Sequence, residues 1–391
     1  MPYEPAPLEI ASGLVFGFTP PEPLPEPAAD PVDALEAAIL PALLRPPCLV
    51  SFSGGRDSST ILAVAVRLAR REGLEPPVPA TNRFPGSEGA DETAWQKRVV
   101  VHLGLTDWVR FEFTDELDSV GPVAMRALRR HGLLWPFNAH FHLPLIDEAA
   151  GGAVLTGVGG DESFGAPRWA RAAAVLSGRS RPRPRDALAI SLAASPPAVR
   201  RTVLSRRDPV VLPWLLPEAQ QAMWALWTAD VAAEPLRWQN RAAWCRRRRY
   251  IQLGLESLAV LAAEQRVEVI SPFVDAGFAA TLAALPRERR YLTRAAAMHE
   301  LFGDLLPPDV LARRTKSHFD DAFWSTHSRR LSGEWGGEGV DPAIVDHDAL
   351  RAEWAKPNPD ARTFLLLQAA AVARDRASAP AELAQAVGGL A

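Results

Sequence analysis

The chain has 391 residues and a net charge of -3, with 43 basic against 46 acidic side chains, so it lacks the basic excess of a general nucleic-acid binder. Hydrophobic residues make up 48% of it, enough to fill one large or two medium cores. The two cysteines, Cys48 and Cys245, exclude a thiolate zinc centre and a disulfide framework. No apolar run is long enough to span a bilayer and the N-terminus lacks a signal peptide's basic start and apolar core, which predicts a cytoplasmic protein with no membrane partner.

Residues 8–16 alternate in a way that predicts a small hairpin or edge strand, and Pro20 to Pro31 is proline-rich and acidic, as in an extended linker. Residues 1–45 thus form a short N-terminal extension. The apolar run Cys48-Leu49-Val50-Ser51-Phe52 reads as a strand, with Cys48 an inert core thiol. It runs into Ser53-Gly54-Gly55-Arg56-Asp57-Ser58-Ser59, after which Ile61 to Leu68 is amphipathic. Strand, glycine turn and helix start follow one another. Adjacent glycines allow a tight turn with open N–H groups, and Ser53, Ser58 and Ser59 add hydroxyls at the positive end of the helix, so the cup suits phosphate. No lysine follows in the G-x-x-x-x-G-K-[ST] spacing, which excludes the P-loop of kinases and GTPases. Asp57 would repel a bare phosphate and predicts a magnesium ion between them. The alternative is a plain helix start capped by Asp57 or Ser58.

Val78 to Phe84 and Trp108 to Phe113 read as further strands around a helical pattern from Glu92 to Leu103, and strands alternating with helices imply a parallel sheet. His140 and His142 straddle Phe141; their alternation could aim both at one pocket, although packed or surface histidines are commoner. Gly152 to Thr156 reads as a short buried strand, followed at once by Gly157-Val158-Gly159-Gly160-Asp161-Glu162. Two such turns on neighbouring strands would face one pocket, where Asp57 and Asp161 could hold the same magnesium.

Beyond Phe164 helical periodicity dominates, broken by Arg181-Pro182-Arg183-Pro184-Arg185 and Pro213. Trp214, Trp224, Trp227, Trp238 and Trp244 are expected in the core or at a subdomain interface, with room for one or two along a cleft. Arg246-Arg247-Arg248-Arg249 on a helix would spread around its circumference, which favours an ion-paired face over a grip on pyrophosphate or an anionic peptide. The expected division is an α/β core over 46–180 and a mainly helical part over 181–391.

S-G-G-x-D-S followed by T-G-x-G-G-D-E resembles the synthetase domain of asparagine synthetase and its relatives, β-lactam synthetase and the lasso-peptide cyclases. Phe84-Pro85-Gly86 with Asp91-Glu92 is similar to that family's adenine-side strand and following helix, and Ser271-Pro272-Phe273-Val274-Asp275 to its P-F-L-D segment. Arg314-Thr315-Lys316, followed by Phe319, is similar to its late R-x-K motif. The resemblance covers roughly residues 46 to 330. It implies a PP-loop ATP pyrophosphatase core, of the adenine nucleotide alpha-hydrolase-like type, with a C-terminal helical subdomain, and ATP and Mg2+ as cofactors. It further implies that Ser53, Gly54, Gly55, Asp57, Ser58, Ser59, Thr81, Gly157, Gly159 and Gly160 surround the nucleotide, that Asp57 and Asp161 hold the metal, and that Lys316 meets phosphate during catalysis.

The implied chemistry is attack of a carboxylate on the α-phosphate of ATP, followed by displacement of AMP by an amine. The family's asparagine synthetases carry glutamate, and β-lactam synthetase tyrosine, where this chain has Val158, so the amine arrives deprotonated, or Glu162, His140 or His142 acts as base, or adenylate transfer is not the end of the reaction. Glutamine-dependent relatives begin with a nucleophilic cysteine heading a glutaminase domain, whereas this chain opens Met1-Pro2-Tyr3; no glutamine hydrolysis is expected. The expected activity is an AMP-forming amide ligase acting on a peptide or specialised metabolite, a macrocyclase included, with biosynthetic partner proteins as possible company. The rivals are an ammonia-dependent asparagine synthetase, a non-catalytic nucleotide-binding relative and, last, a PP-loop tRNA-modifying enzyme.

Overall fold

The computed structural model describes residues 5–85, 89, 92–178, 180–286, 289–290, 293–313 and 320–388. Five strands among these residues form one parallel sheet: β1 (Cys48–Ser51), β2 (Val78–Arg83), β3 (Val109–Glu112), β4 (Ala153–Leu155) and β5 (Glu268–Ile270), in the order β3-β2-β1-β4-β5. Val50 of β1 lies opposite Pro79 on one side and Leu155 on the other. The α/β class with a parallel sheet is as the strand-helix alternation predicts.

The alternation of side chains along a strand sorts the apolar residues between two cores. Cys48, Val50, Phe52, Ala153 and Leu155 enter one core with Leu35 and Ile39 of the helix Pro31–Leu43 and with Ile61 and Leu62 of the helix Arg56–Glu72. Leu49, Ala80 and Val154 enter the other, against Ile146, Leu261 and Ala262. Helices cover both faces, which is why β1 and β4 are continuous apolar runs. Burial pushes the Cys48 thiol up to about 12, as for an inert core thiol.

The chain proceeds from β1 outward through β2 to β3, then returns to lay β4 on the other side of β1. The β1/β4 pair is therefore a topological switch point, and the crevice for a ligand opens beyond the carboxyl ends of those two strands.

The N-terminal segment departs from expectation. Residues 8–16 contribute the helix Pro7–Ser12 in place of a hairpin or edge strand. Pro7 stands at its first position, and the Glu9 carboxylate accepts from Ala6 N at 2.8 Å and Phe16 N at 3.1 Å, so the turn closes on its own side chain. Residues 19–28 take no regular secondary structure. Asp30 then caps the helix Pro31–Leu43 by accepting from Val32 N at 2.8 Å.

The four arginines at 246–249 do not share one helix: they fall across the junction between the helices Trp238–Arg246 and Arg249–Ala263. Arg246 donates to Glu22, Arg247 donates to Thr19 O, and Arg249 pairs with Glu9, so three of them fasten the N-terminal segment to the body. Arg248 lies over the Tyr250 ring at 4.6 Å. Trp214 is fully buried and donates to Ala11 O, as expected of a core aromatic, whereas Trp224, Trp227, Trp238 and Trp244 are half-buried, with Trp224 stacked on Trp227. Among the described residues no helix is long and apolar enough to cross a membrane.

Candidate active site

At the end of β1 the chain turns through Gly54, whose φ of 78° lies in the region that disfavours a side chain. A Cβ there would also sit 2.8 Å from Gln96 Cγ. Gly55 caps the helix Arg56–Glu72, and the Ser58 hydroxyl locks the turn by accepting from Ser53 N at 3.2 Å while lying 3.1 Å from the Ser53 hydroxyl. The helix N-terminus therefore points its free N–H groups past Ser53, Gly54 and Gly55 into the crevice. Ser59 is fully buried and its hydroxyl has no hydrogen-bond partner.

The second turn, after β4, touches the first. A Cβ on Gly157 would approach Ser58 N to 3.1 Å, and one on Gly160 would lie 2.4 Å from Asp57 Cγ. Gly159 has a φ of 91°, and a Cβ there would strike Val274 Cγ1 at 2.3 Å. Each glycine of G-x-G-G thus answers a separate approach. The Ser271 to Asp275 segment forms the third wall, with Ser271 Oγ 2.7 Å from Thr156 Oγ1 and Asp275 capping the next helix through Gly277 N and Phe278 N.

Asp57 and Asp161, 104 residues apart in sequence, are brought to one side chain: Arg294 donates to Asp57 Oδ2 at 2.5 Å and to Asp161 Oδ1. Asp57 Oδ1 is buried without a hydrogen-bond partner. Two carboxylates, one with an unused oxygen, suit magnesium, which takes one or two protein carboxylates and completes its shell with phosphate and water. Among the described residues no group of three or more His, Cys, Asp or Glu forms a metal cage, and a magnesium nucleotide site requires none. Arg56 is held below the ordinary guanidinium range, first by burial and then by Arg294, with a smaller contribution from Arg313. Arg56, Arg294 and Arg313 thus gather at the first turn, opposite the carboxylates of Asp57, Asp161 and Glu92.

Arg313 forms a buried bidentate pair with Glu92, donates to Gly54 O at 3.3 Å and lies over the Trp95 ring at 4.8 Å. Glu92 thereby braces the glycine turn. Lys316, Arg314, Thr315 and Phe319 lie outside the described residues, as do Gly86 and Asp91 of the adenine-side motif.

Beside the first turn, a cavity of about 280 Å³ opens between β1 and β2, walled by Phe84, Phe141 and Phe323 and edged by Asn82, Gln96 and His142. Asn82 donates to Phe141 O at 2.8 Å and Gln96 to Ser53 O at 3.2 Å, which leaves Asn82 Oδ1 and Gln96 Oε1 buried and unpartnered. Burial holds His142 below its ordinary pKa. His140 faces the carbonyls of Phe137 and Leu117 with its two ring nitrogens, and burial lowers it to about 4, so it is a neutral packing histidine. Thr81 spends its hydroxyl on Phe52 O at 2.7 Å and receives the Trp108 indole N–H at 3.0 Å, while its neighbours Ala80 and Asn82 line the cavity.

Glu162 receives the Tyr250 hydroxyl on Oε1 at 2.6 Å. Burial first, and the Glu162 charge second, raise the Tyr250 pKa and keep the phenol protonated. Sequence reasoning does not single out Arg294, Tyr250, Asn82 or Gln96. Arg294 and Tyr250 stand in stretches of ordinary helical pattern.

A parallel sheet whose two adjacent inner strands each end in a glycine turn and an acid, beside an aromatic cavity, defines a PP-loop type synthetase core. No curated protein matches the chain. The family model for asparagine synthase matches residues 34–375, and the chain belongs to that family. At the level of the family the activity is that of an ATP-dependent carbon–nitrogen ligase, which uses ATP, typically with Mg2+, and carboxylate and amine substrates.

Proposed function

We propose that the chain adenylates a carboxylate of a peptide or specialised metabolite and passes the acyl group to an amine of the same or another molecule, peptide macrocyclisation included. The observation that carries this is the meeting of the two glycine turns, which sets Asp57 and Asp161 at the mouth of one helix N-terminus. The aromatic cavity receives adenine, whose amino group suits the acceptors Asn82 Oδ1 and Gln96 Oε1. Ser53, Gly54, Gly55, Ser58 and Ser59, with Thr81 on the neighbouring strand and Gly157, Gly159 and Gly160 opposite, surround the nucleotide. Asp57 and Asp161 hold the magnesium, which neutralises charge building on the phosphates. Lys316 adds a cation to the same charge.

With valine at 158, the proton of the attacking amine goes to Glu162, and the Tyr250 hydroxyl bonded to that carboxylate orients it. Residues 46–180 and 181–391 act as one synthetase unit, since β5 of the second part completes the sheet of the first. A cytoplasmic location and help from biosynthetic partner proteins belong to this reading. The test is pyrophosphate release with the purified chain across candidate acids, peptides and amines. The reading expects release and AMP formation with a peptide or metabolite acid and none with free aspartate and ammonium; release with that last pair alone would make the chain an ammonia-dependent asparagine synthetase.

A further inference from the structure

We propose that Arg294 is a resident counter-ion of the metal-binding acids that changes partners, leaving Asp57 and Asp161 for phosphate oxygens when the magnesium nucleotide enters. This rests on the reading that the site takes Mg-ATP.

Three observations carry it. One guanidinium spans both acids, on Asp57 Oδ2 and Asp161 Oδ1, where a shared cation between the turns would sit. Its Nε is buried with no hydrogen-bond partner, so the fork is not fully satisfied by the acids it holds. Its backbone is fixed while its side chain is long: Thr293 caps the helix Arg294–Phe302 by accepting from Ala296 N, and Met298 and Phe302 of that helix are fully buried.

Charge then dictates the exchange. Two carboxylates facing each other across touching turns repel unless a cation lies between them. The arginine supplies one charge and a magnesium ion two, and both cannot occupy one gap. Asp57, Asp161 and Arg294 together carry a charge of about -1, and Mg-ATP arrives with further negative charge on its phosphates. A guanidinium released beside those phosphates finds in them the planar, bidentate partner that suits it best. Arg294 thus holds the turns together before binding and becomes a pyrophosphate ligand after it.

The test uses the purified full chain, its Arg294→Met and Arg294→Lys variants, and two probes without substrate: Mn2+ alone, followed by electron paramagnetic resonance, and magnesium pyrophosphate, followed by calorimetry. Arg294→Met should bind Mn2+ at least tenfold more tightly than the parent, and adding Asp161→Asn should abolish the gain. The same variant should bind magnesium pyrophosphate at least tenfold more weakly, with Arg294→Lys closer to the parent. In the absence of divalent ions Arg294→Met should melt below the parent and recover when Mn2+ is added. Unchanged Mn2+ affinity in Arg294→Met overturns the counter-ion role, and unchanged pyrophosphate affinity overturns the exchange. If a separate calorimetric titration shows that the parent fails to bind Mg-ATP while Arg294→Met gains Mn2+, the nucleotide reading fails and the counter-ion stands.

Discussion

Val158 offers no proton acceptor, and the nearby carboxylate of Glu162 already holds the Tyr250 hydroxyl at 2.6 Å. A protonated phenol on one oxygen leaves the other to accept a proton from an amine, and it fixes the carboxylate in one orientation. Tyr250→Phe removes that hydroxyl and keeps the ring beneath Arg248. The lost hydrogen bond should cost about 1 kcal/mol of stability. Exchange of pyrophosphate into ATP should stay near the parent level, while product formation falls by about a hundredfold. Equal loss of both rates would make the pair a structural tie. Neither Tyr250 nor Arg294 was legible beforehand, because 88 residues separate Tyr250 from Glu162 and 133 separate Arg294 from Asp161, and nothing local marks either as more than a helical side chain.

At the scale of the element, the close approach of two turns explains the glycine pattern better than turn geometry alone. Gly160→Ala would push a methyl carbon into the Asp57 carboxylate, displacing the first acid from the second. Gly151→Ala is the control: its φ of 78° strains any side chain by itself, a strain that Gly160 does not share, yet a Cβ there meets nothing within 4 Å. The control should lose about 1–2 kcal/mol of stability and keep nucleotide affinity. Gly160→Ala should lose at least tenfold in Mg-ATP affinity by calorimetry, and parity between the two variants would remove the turn contact from the account. β1 and β4 were legible because both of their faces are buried, so each reads as an apolar run. β5 was not, since Glu268-Val269-Ile270 is three residues long at the sheet edge, with Glu268 exposed. The segment at 8–16 misled because Leu8 and Ile10 alternate, whereas Pro7 and the self-capping Glu9 decide for a helical turn.

Over the whole molecule, the chain's motifs lie far apart in sequence and converge because β1 and β4 are neighbours at the switch point of the sheet. That adjacency was foreshadowed by two strand-glycine-acid stretches of the same design. The bracing of the first turn by the Glu92 and Arg313 pair was not, because it joins residues 221 positions apart. The central claim is that Asp57 and Asp161 serve one magnesium nucleotide, and calorimetric titration of Mg-ATP into the parent, Asp57→Asn and Asp161→Asn tests it most directly. Each substitution keeps the shape of the side chain and removes one charge from the metal shell. The account predicts at least a tenfold loss of affinity in both variants with magnesium present and little difference among the three proteins with magnesium chelated. Mg-ATP binding as tight in both variants as in the parent would contradict it.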